Sequence, residues 1–498
     1  MISFFIGVVA LILGYFIYGK FIEKIFVVDP NRTTPAYTNQ DGVDYIPMKP
    51  WRIFLIQFLN IAGVGPICGA IMGAKFGTAS YLWIVLGSIF AGAVHDYLSG
   101  MMSLRNDGCS LPELHGKYMG NFVKQFMRAF MVFLMILVGV VFVNTPATLL
   151  NTHFTPNWHI YIWVIIILVY YLIATLLPID KIIGKIYPVF GFLLFGMALA
   201  IVAAFIYHRP HIPELWEGLS NPAYTSTNPI FPMMFISIAC GAISGFHATQ
   251  SPLMARCMTN ENQGRPIFYG AMISEGIVAL IWAAAASYFF GPDSPVQTEG
   301  LGGPAMVGLI AETWFTPAIC VITILGVISA SVTSGDTALR SARLIVADFL
   351  HFKQKKISSR LIIAIPLFIV TGALLVFSLT DKDGFQIIWR YFGWANQMLA
   401  VFTLWSITFY LAIEKEKTNP HCYLLTLIPA LFMTMVCSTF FIMTSHIGHT
   451  VSTIWAYYIA GFITVFCLFG YFGWMRRRRK HYHRHKNENE IEIENEKE

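Results

Sequence analysis

QFLNIAGVGPICGAIMGAKFG, Gln57 to Gly77, has the composition of a membrane helix and carries residues that break one. Gly63, Gly65 and Pro66 fall where such a helix should be most regular. Glycine loosens the backbone and proline removes an N–H donor. Inside a bilayer each unsatisfied backbone group is costly, so irregular backbone at that depth has to be buried in protein or line a cavity. Discontinuous helices in carriers use the freed N–H and C=O groups to hold substrate or ions. Close helix packing through small residues is the competing reading.

The rest of the chain supplies the setting. Of its 498 residues 56% are hydrophobic and only 12% charged, which a soluble core does not need. The first apolar run, Ile2 to Tyr18, lacks the basic start and small-residue cleavage site of a signal peptide and is expected to remain as a helix. Apolar windows of about 18 to 25 residues number about thirteen. They lie near 2–22, 53–74, 80–103, 127–149, 158–177, 186–207, 230–250, 267–290, 317–338, 361–379, 385–412, 422–444 and 453–474. With the N-terminus outside, every Lys and Arg except Lys75, Arg209, Lys382 and Arg390 falls on the cytoplasmic side. That asymmetry predicts a cytoplasmic C-terminus.

A second irregular segment, ISIACGAISGFHATQSP (Ile236 to Pro252), places Gly241, Gly245, His247, Thr249 and Gln250 in another membrane helix. On the expected topology the first broken helix is entered from the cytoplasm and the second from outside. They would open two inverted five-helix repeats, about 53–207 and 230–412, flanked by helices 2–22, 422–444 and 453–474. Two breaks at matching positions of inverted halves point to a binding site at the midplane. Backbone N–H groups near Gly63, Val64, Gly65 and Pro66, and near Gly241 to Gly245, would face an anionic carboxylate. His247, Thr249 and Gln250 would add side-chain contacts.

A third segment, GVISASVTSGDTALRSARLIVADF (Gly326 to Phe349), carries Thr333, Ser334 and Asp336. In a leucine-transporter-type fold the corresponding helix gives hydroxyls to an ion site against the first broken helix. Hard cations favour such oxygen ligands; hydroxyls bonding back to their own helix are the plainer reading. Arg340 and Arg343 lie lower on the helix, where topology and lipid contact account for them. Ionisable residues at membrane depth are functional candidates: His95 and Asp96 in FAGAVHDYLSG, and Glu275 in MISEGIVAL, are expected to carry a proton or ion together with Asp336. Asn396 and Gln397, in WRYFGWANQMLA, are read as interhelical hydrogen-bonding residues.

Other functional classes find little support. The eight cysteines form no C-x-x-C pair, so neither a disulfide framework nor a metal site is expected. There is no H-E-x-x-H, G-x-S-x-G or P-loop, which speaks against a hydrolase and against ATP-driven transport. The net charge of +6 is concentrated in RRRRKHYHRHK, Arg476 to Lys486, suited to an anionic inner leaflet rather than to nucleic acid. The acidic, low-complexity end that follows makes 476–498 a tail expected to be disordered.

The stretches IAGVGPICGAIMGAKFG, FAGAVHDYLS with RNDGCSLPEL, GAISGFHATQSP, SGDTALRSARLIVAD and FGWANQMLA resemble, in spelling and order, the carbon starvation protein A family of bacterial inner-membrane transporters. The resemblance implies a plasma-membrane carrier of the starvation response that takes up peptides or, in some members, pyruvate with protons. It also implies the inverted five-helix repeats of the amino acid, polyamine and organocation superfamily. Taken together, the expectation is an all-α polytopic membrane protein, residues 1–475. It would be a secondary active symporter for a small carboxylate or short peptide, without cofactor, coupled to H⁺ or Na⁺. A membrane-embedded metabolite sensor with little net transport is the alternative.

Overall fold

The structure is a computed structural model. It describes residues 1–177, 183–226, 228–291, 294, 296–298, 300–354, 356–381, 383–415, 418–444 and 452–495, with the backbone alone for 183–186 and 478–495. Every apolar window of the sequence falls on a helix, and no strand occurs among the described residues. Among the described residues ten helices are long and apolar enough to cross a membrane, or eleven if the bent pair Pro50–Ile61 and Val64–Ala74 is one span. The sequence had suggested about thirteen spans of roughly 18 to 25 residues. The difference lies in pieces too short to qualify singly: Ile160–Leu176, and Ile230–Ser237 followed by Gly245–Ala255. Two shorter helices in connecting segments, Leu111–Met119 and Gly303–Trp314, had no counterpart in the apolar pattern.

By internal packing the chain divides into Met1–Ala430 and Leu431–Glu498. Within the second unit a helix runs Thr453–Asn495, and Thr464 Oγ1 reaches Met435 Sδ at 3.9 Å. The backbone of this helix includes residues 476–495 of the tail; the tail's side chains beyond Arg477, and residues 496–498, lie outside the described residues.

The helices that matter are α1 (Pro50–Ile61), α2 (Val64–Ala74), α3 (Ala79–Arg105), α4 (Asn121–His153), α5 (Ile160–Leu176), α6 (Ile183–His208), α7 (Ile230–Ser237), α8 (Gly245–Ala255), α9 (Glu261–Phe290), α10 (Pro317–Phe349) and α11 (Gly384–Glu414). Burial sorts them into an inner and an outer set. Helices α3, α9 and α11 are almost wholly enclosed, whereas α5 and Ile357–Thr380 expose Ile162, Ile165, Val169, Ile362 and Ile369. An apolar exterior around a polar interior is what a bilayer solvent selects.

Both expected breaks are present. Between α1 and α2 the axis bends by 46°. Pro66 offers no N–H to the carbonyl of Ala62, four residues back, and the backbone leaves helical geometry there, at ψ 49° for Ala62 and −149° for Gly63. Between α7 and α8 the chain is non-helical over residues 238–244, beginning at Ile238 with ψ 50°. The breaks lie on each other: a Cβ on Gly65 would overlap the Cys240 thiol and stand 2.7 Å from Cys240 Cβ. Glycine at 65 is therefore a condition of that contact.

Candidate functional site

The second break is held by α11. Asn396 Oδ1 accepts hydrogen bonds from the Phe246 N–H at 2.7 Å and from Ser244 Oγ at 3.0 Å. Its amide nitrogen donates to Cys240 Sγ at 3.3 Å, and Gln397 Nε2 donates to the Ile243 carbonyl at 3.1 Å. A helix opening inside a membrane has N–H groups that no water satisfies, and here a side chain on a neighbouring helix supplies the cap. The close approach this requires is made at Gly245, whose Cβ would stand 2.5 Å from Leu399 Cβ. Asn396 and Gln397 thus do what the interhelical reading expected of them. The Phe246 N–H that follows Gly245 is taken by protein.

One turn into α8, His247 meets residues expected elsewhere in the scheme. Its Nδ1 donates to Asp96 Oδ2 at 2.8 Å, and the other oxygen of Asp96 accepts from His95 Nδ1 at 2.8 Å. On the far side of the ring, His247 Nε2 lies 3.2 Å from Glu275 Oε2 on α9, out of line for a hydrogen bond. All four side chains are 0% exposed. With Nδ1–H committed to Asp96, a neutral imidazole turns a lone pair toward Glu275, an unfavourable facing of two acceptors in a dry interior. A proton on either group, as imidazolium with carboxylate or as imidazole with carboxylic acid, relieves it. His95 and Asp96 on α3, His247 on α8 and Glu275 on α9 form one chain of titratable groups directly below the second break. Sequence spacing had assigned His247 to substrate and the other three to coupling.

Thr249 and Gln250 are also buried, but they bond mainly inside α8. Thr249 Oγ1 donates to the Phe246 carbonyl at 2.7 Å, and Gln250 Nε2 donates to Thr249 Oγ1 at 2.8 Å. Gln250 Oε1 has no hydrogen-bond partner, nor do Gln57 Oε1 and Nε2 on α1, which packs against α8 and α9.

Around the first break the hydroxyls of α10 converge on one carbonyl. Thr333 Oγ1 and Ser334 Oγ donate to Leu59 O at 2.9 and 3.2 Å while also bonding back to their own helix. The bonds back to their own helix are those of the plainer reading, and the Leu59 contacts tie α10 to the first broken helix. Asp336, three residues on from Thr333, lies in a separate knot. It accepts from Tyr170 OH at 2.9 Å and Tyr187 OH at 3.1 Å. The Tyr187 hydroxyl is also 3.0 Å from Asn60 Oδ1, beside the break. Asp336 does not join the histidine cluster; it fastens α5 and α6 to α10. Tyr170, Tyr187 and Asn60 were not picked out from the sequence. A hydroxyl within an apolar run such as ILVYYLIATLL was the available sign, because it has to find a partner in lipid.

A multi-pass helical membrane protein with two broken helices meeting at a buried polar centre has an architecture that transporters share. Solved structures agree at the level of fold: a manganese transporter from Eremococcus coleocola superposes with a TM-score of 0.52 at 14% identity, over 88% of this chain and 98% of that one. The chain belongs to the carbon starvation protein CstA family, whose model matches residues 1–162, 146–300 and 300–440. An uncharacterized membrane protein of Haemophilus influenzae is 45% identical over 358 residues, 62% of this chain and 96% of its own length. The peptide transporter CstA of Escherichia coli is 27% identical over 59% of this chain and 52% of its own. The pyruvate/proton symporter BtsT of the same organism is 26% identical over 59% and 50% respectively. The chain thus spans about half the length of these two characterised relatives.

Proposed function

We propose that this chain is a secondary active transporter of the bacterial inner membrane that imports a small carboxylate or short peptide with protons. Thirteen spans, two of them broken, would form inverted repeats of five helices, about residues 53–207 and 230–412, with the N-terminus outside. Substrate would lie where the breaks meet, its carboxylate against backbone N–H groups near Val64 and Gly65 and near Gly241 to Gly245. Residues 476–498 would form a cytoplasmic tail. Names of relatives, one a peptide transporter and one a pyruvate/proton symporter, support the substrate class.

The observation that carries the reading is the buried cluster in which His247 Nδ1 bonds Asp96 at 2.8 Å while its Nε2 lies 3.2 Å from Glu275, a place suited to hold one proton. A proton held on helices from both halves, Glu275 and His247 in one and Asp96 in the other, couples its own release to their separation. Opening the interface brings water to groups that in the closed form have only each other. Thr333, Ser334 and the Leu59 carbonyl are the place where Na⁺ would act instead.

The test is uptake of radiolabelled pyruvate into proteoliposomes under an inward proton gradient, with Na⁺ varied and unlabelled dipeptides as competitors. Gradient-driven accumulation is expected, with Glu275→Gln abolishing accumulation but retaining exchange of internal for external substrate. Accumulation that follows Na⁺ and survives Glu275→Gln would move the coupling site to Thr333 and Ser334. Ligand binding with no flux would make the protein a sensor.

A further inference from the structure

One face of α10 continues past the sites described so far. Asp336, Arg340, Arg343 and Ala347 follow at steps of four, three and four, so they line a single stripe about 16 Å long at about 1.5 Å per residue. The two arginines do not face lipid, as their position near the membrane edge had suggested: they are 1% and 0% exposed. Their guanidinium groups are also underused. Arg340 Nη2 donates to the carbonyls of Ala174 and Leu177, and Arg343 Nη1 donates to Gln354 Oε1 at 2.5 Å. Arg340 Nε and Nη1 and Arg343 Nε and Nη2 have no hydrogen-bond partner.

A carboxylate faces them in a loose ion pair. Asp44 Oδ1 stands 3.8 Å from Arg340 Nη1, beyond hydrogen-bond reach, and accepts no hydrogen bond among the described residues. The loop holding it is well fixed. Asp41 Oδ1 accepts the N–H groups of Val43, Asp44 and Tyr45 at 2.8 to 3.0 Å, and Met48 N–H donates to Cys257 O at 3.1 Å. Beside this loop a 450 Å³ cavity is walled by Tyr45, by Ala347 one turn beyond Arg343, by Arg256, Lys353 and Asp348, and by Lys124 and Arg128, both paired with Glu113. Two buried like charges one turn apart, with donors to spare and a single carboxylate at 3.8 Å, are costly unless a second anion completes them.

We propose that Arg340 and Arg343 form an oxyanion-binding site, for a carboxylate or phosphate group, at the end of α10, and that Asp44 acts as its weak internal competitor. The guanidinium forks match either group. The site is separate from the crossing of the broken helices, so it stands or falls independently of the transport reading.

The experiment uses the full chain in phosphatidylcholine nanodiscs and reads the thermal midpoint while inorganic phosphate or pyruvate is titrated, and again in discs containing phosphatidylglycerol. Wild type should be stabilised by at least one probe. Stabilisation by phosphate or pyruvate in pure phosphatidylcholine identifies a soluble oxyanion, and stabilisation by phosphatidylglycerol alone identifies a lipid headgroup. Arg343→Gln should weaken the effective probe about tenfold, and Asp44→Asn should tighten it, a gain that misfolding cannot mimic. No stabilisation of wild type by any probe, or equal response in both variants, overturns the proposal.

Discussion

Gly65 has no room for a side chain, because its place is filled by Cys240 from the other break. Gly65→Val should insert and express but lose more than nine-tenths of uptake, overpacking of this kind costing about 1–3 kcal/mol. Cys240→Gly in the background of Gly65→Ala should return part of the flux, and uptake unchanged by Gly65→Val would remove the crossing from the transport path. His115, on the connecting helix Leu111–Met119, gives a second test at this scale. Burial pushes its imidazole down to about 4, and its Nδ1–H donates to Leu111 O at 2.8 Å. The folded pKa lies below the unfolded one, so the unfolded chain takes up the proton first. The stability contributed by neutral His115 is complete above about 6.5 and is lost as pH falls toward about 4. The thermal midpoint of wild type should therefore drop more between pH 7 and 5 than that of His115→Asn, which keeps a donor for Leu111 without titrating. Parallel curves for the two proteins would exclude this role.

Among the elements, α8 depends on a neighbour for its beginning. Asn396→Ala leaves the Phe246 N–H and Ser244 hydroxyl without their acceptor, at about 1–3 kcal/mol for an unsatisfied buried group. The thermal midpoint should fall by several degrees and uptake with it, and Asn396→Asp, which keeps the acceptor, should be milder. Equal stability of Asn396→Ala and wild type would mean the break is held by packing alone. The breaks themselves were legible in the sequence, since Gly-x-Gly-Pro and a run of small polar residues contradict an apolar helix on their face. Their supports were less so. Asn396 and Gln397 stood out as interhelical bonders, but nothing in one chain's order says that they bond the residues around Gly245. Likewise His247 was visible and its distance from Glu275 was not: lone ionisable residues on three helices become a cluster only when those helices pack.

At the scale of the whole molecule, the apolar windows located every helix long enough to cross a membrane, because the bilayer imposes a length and a polarity on each one. They failed for Leu111–Met119 and Gly303–Trp314, short helices in connecting segments that no such constraint shapes. The expected orientation is open to a direct check with two half-buried cysteines, Cys109 after α3 and Cys320 near the start of α10. In right-side-out vesicles a membrane-impermeant maleimide should label a variant keeping only Cys320. A variant keeping only Cys109 should label after permeabilisation, and the reverse pattern would invert the topology. The packing of Cys240 against Gly65 has one more consequence. Sealed between the two breaks and 1% exposed, its thiol can be alkylated by a small membrane-permeant reagent only during intervals when the segments part. The rate of that modification is a clock for the conformational cycle, readable in the unaltered polypeptide without knowing what it carries.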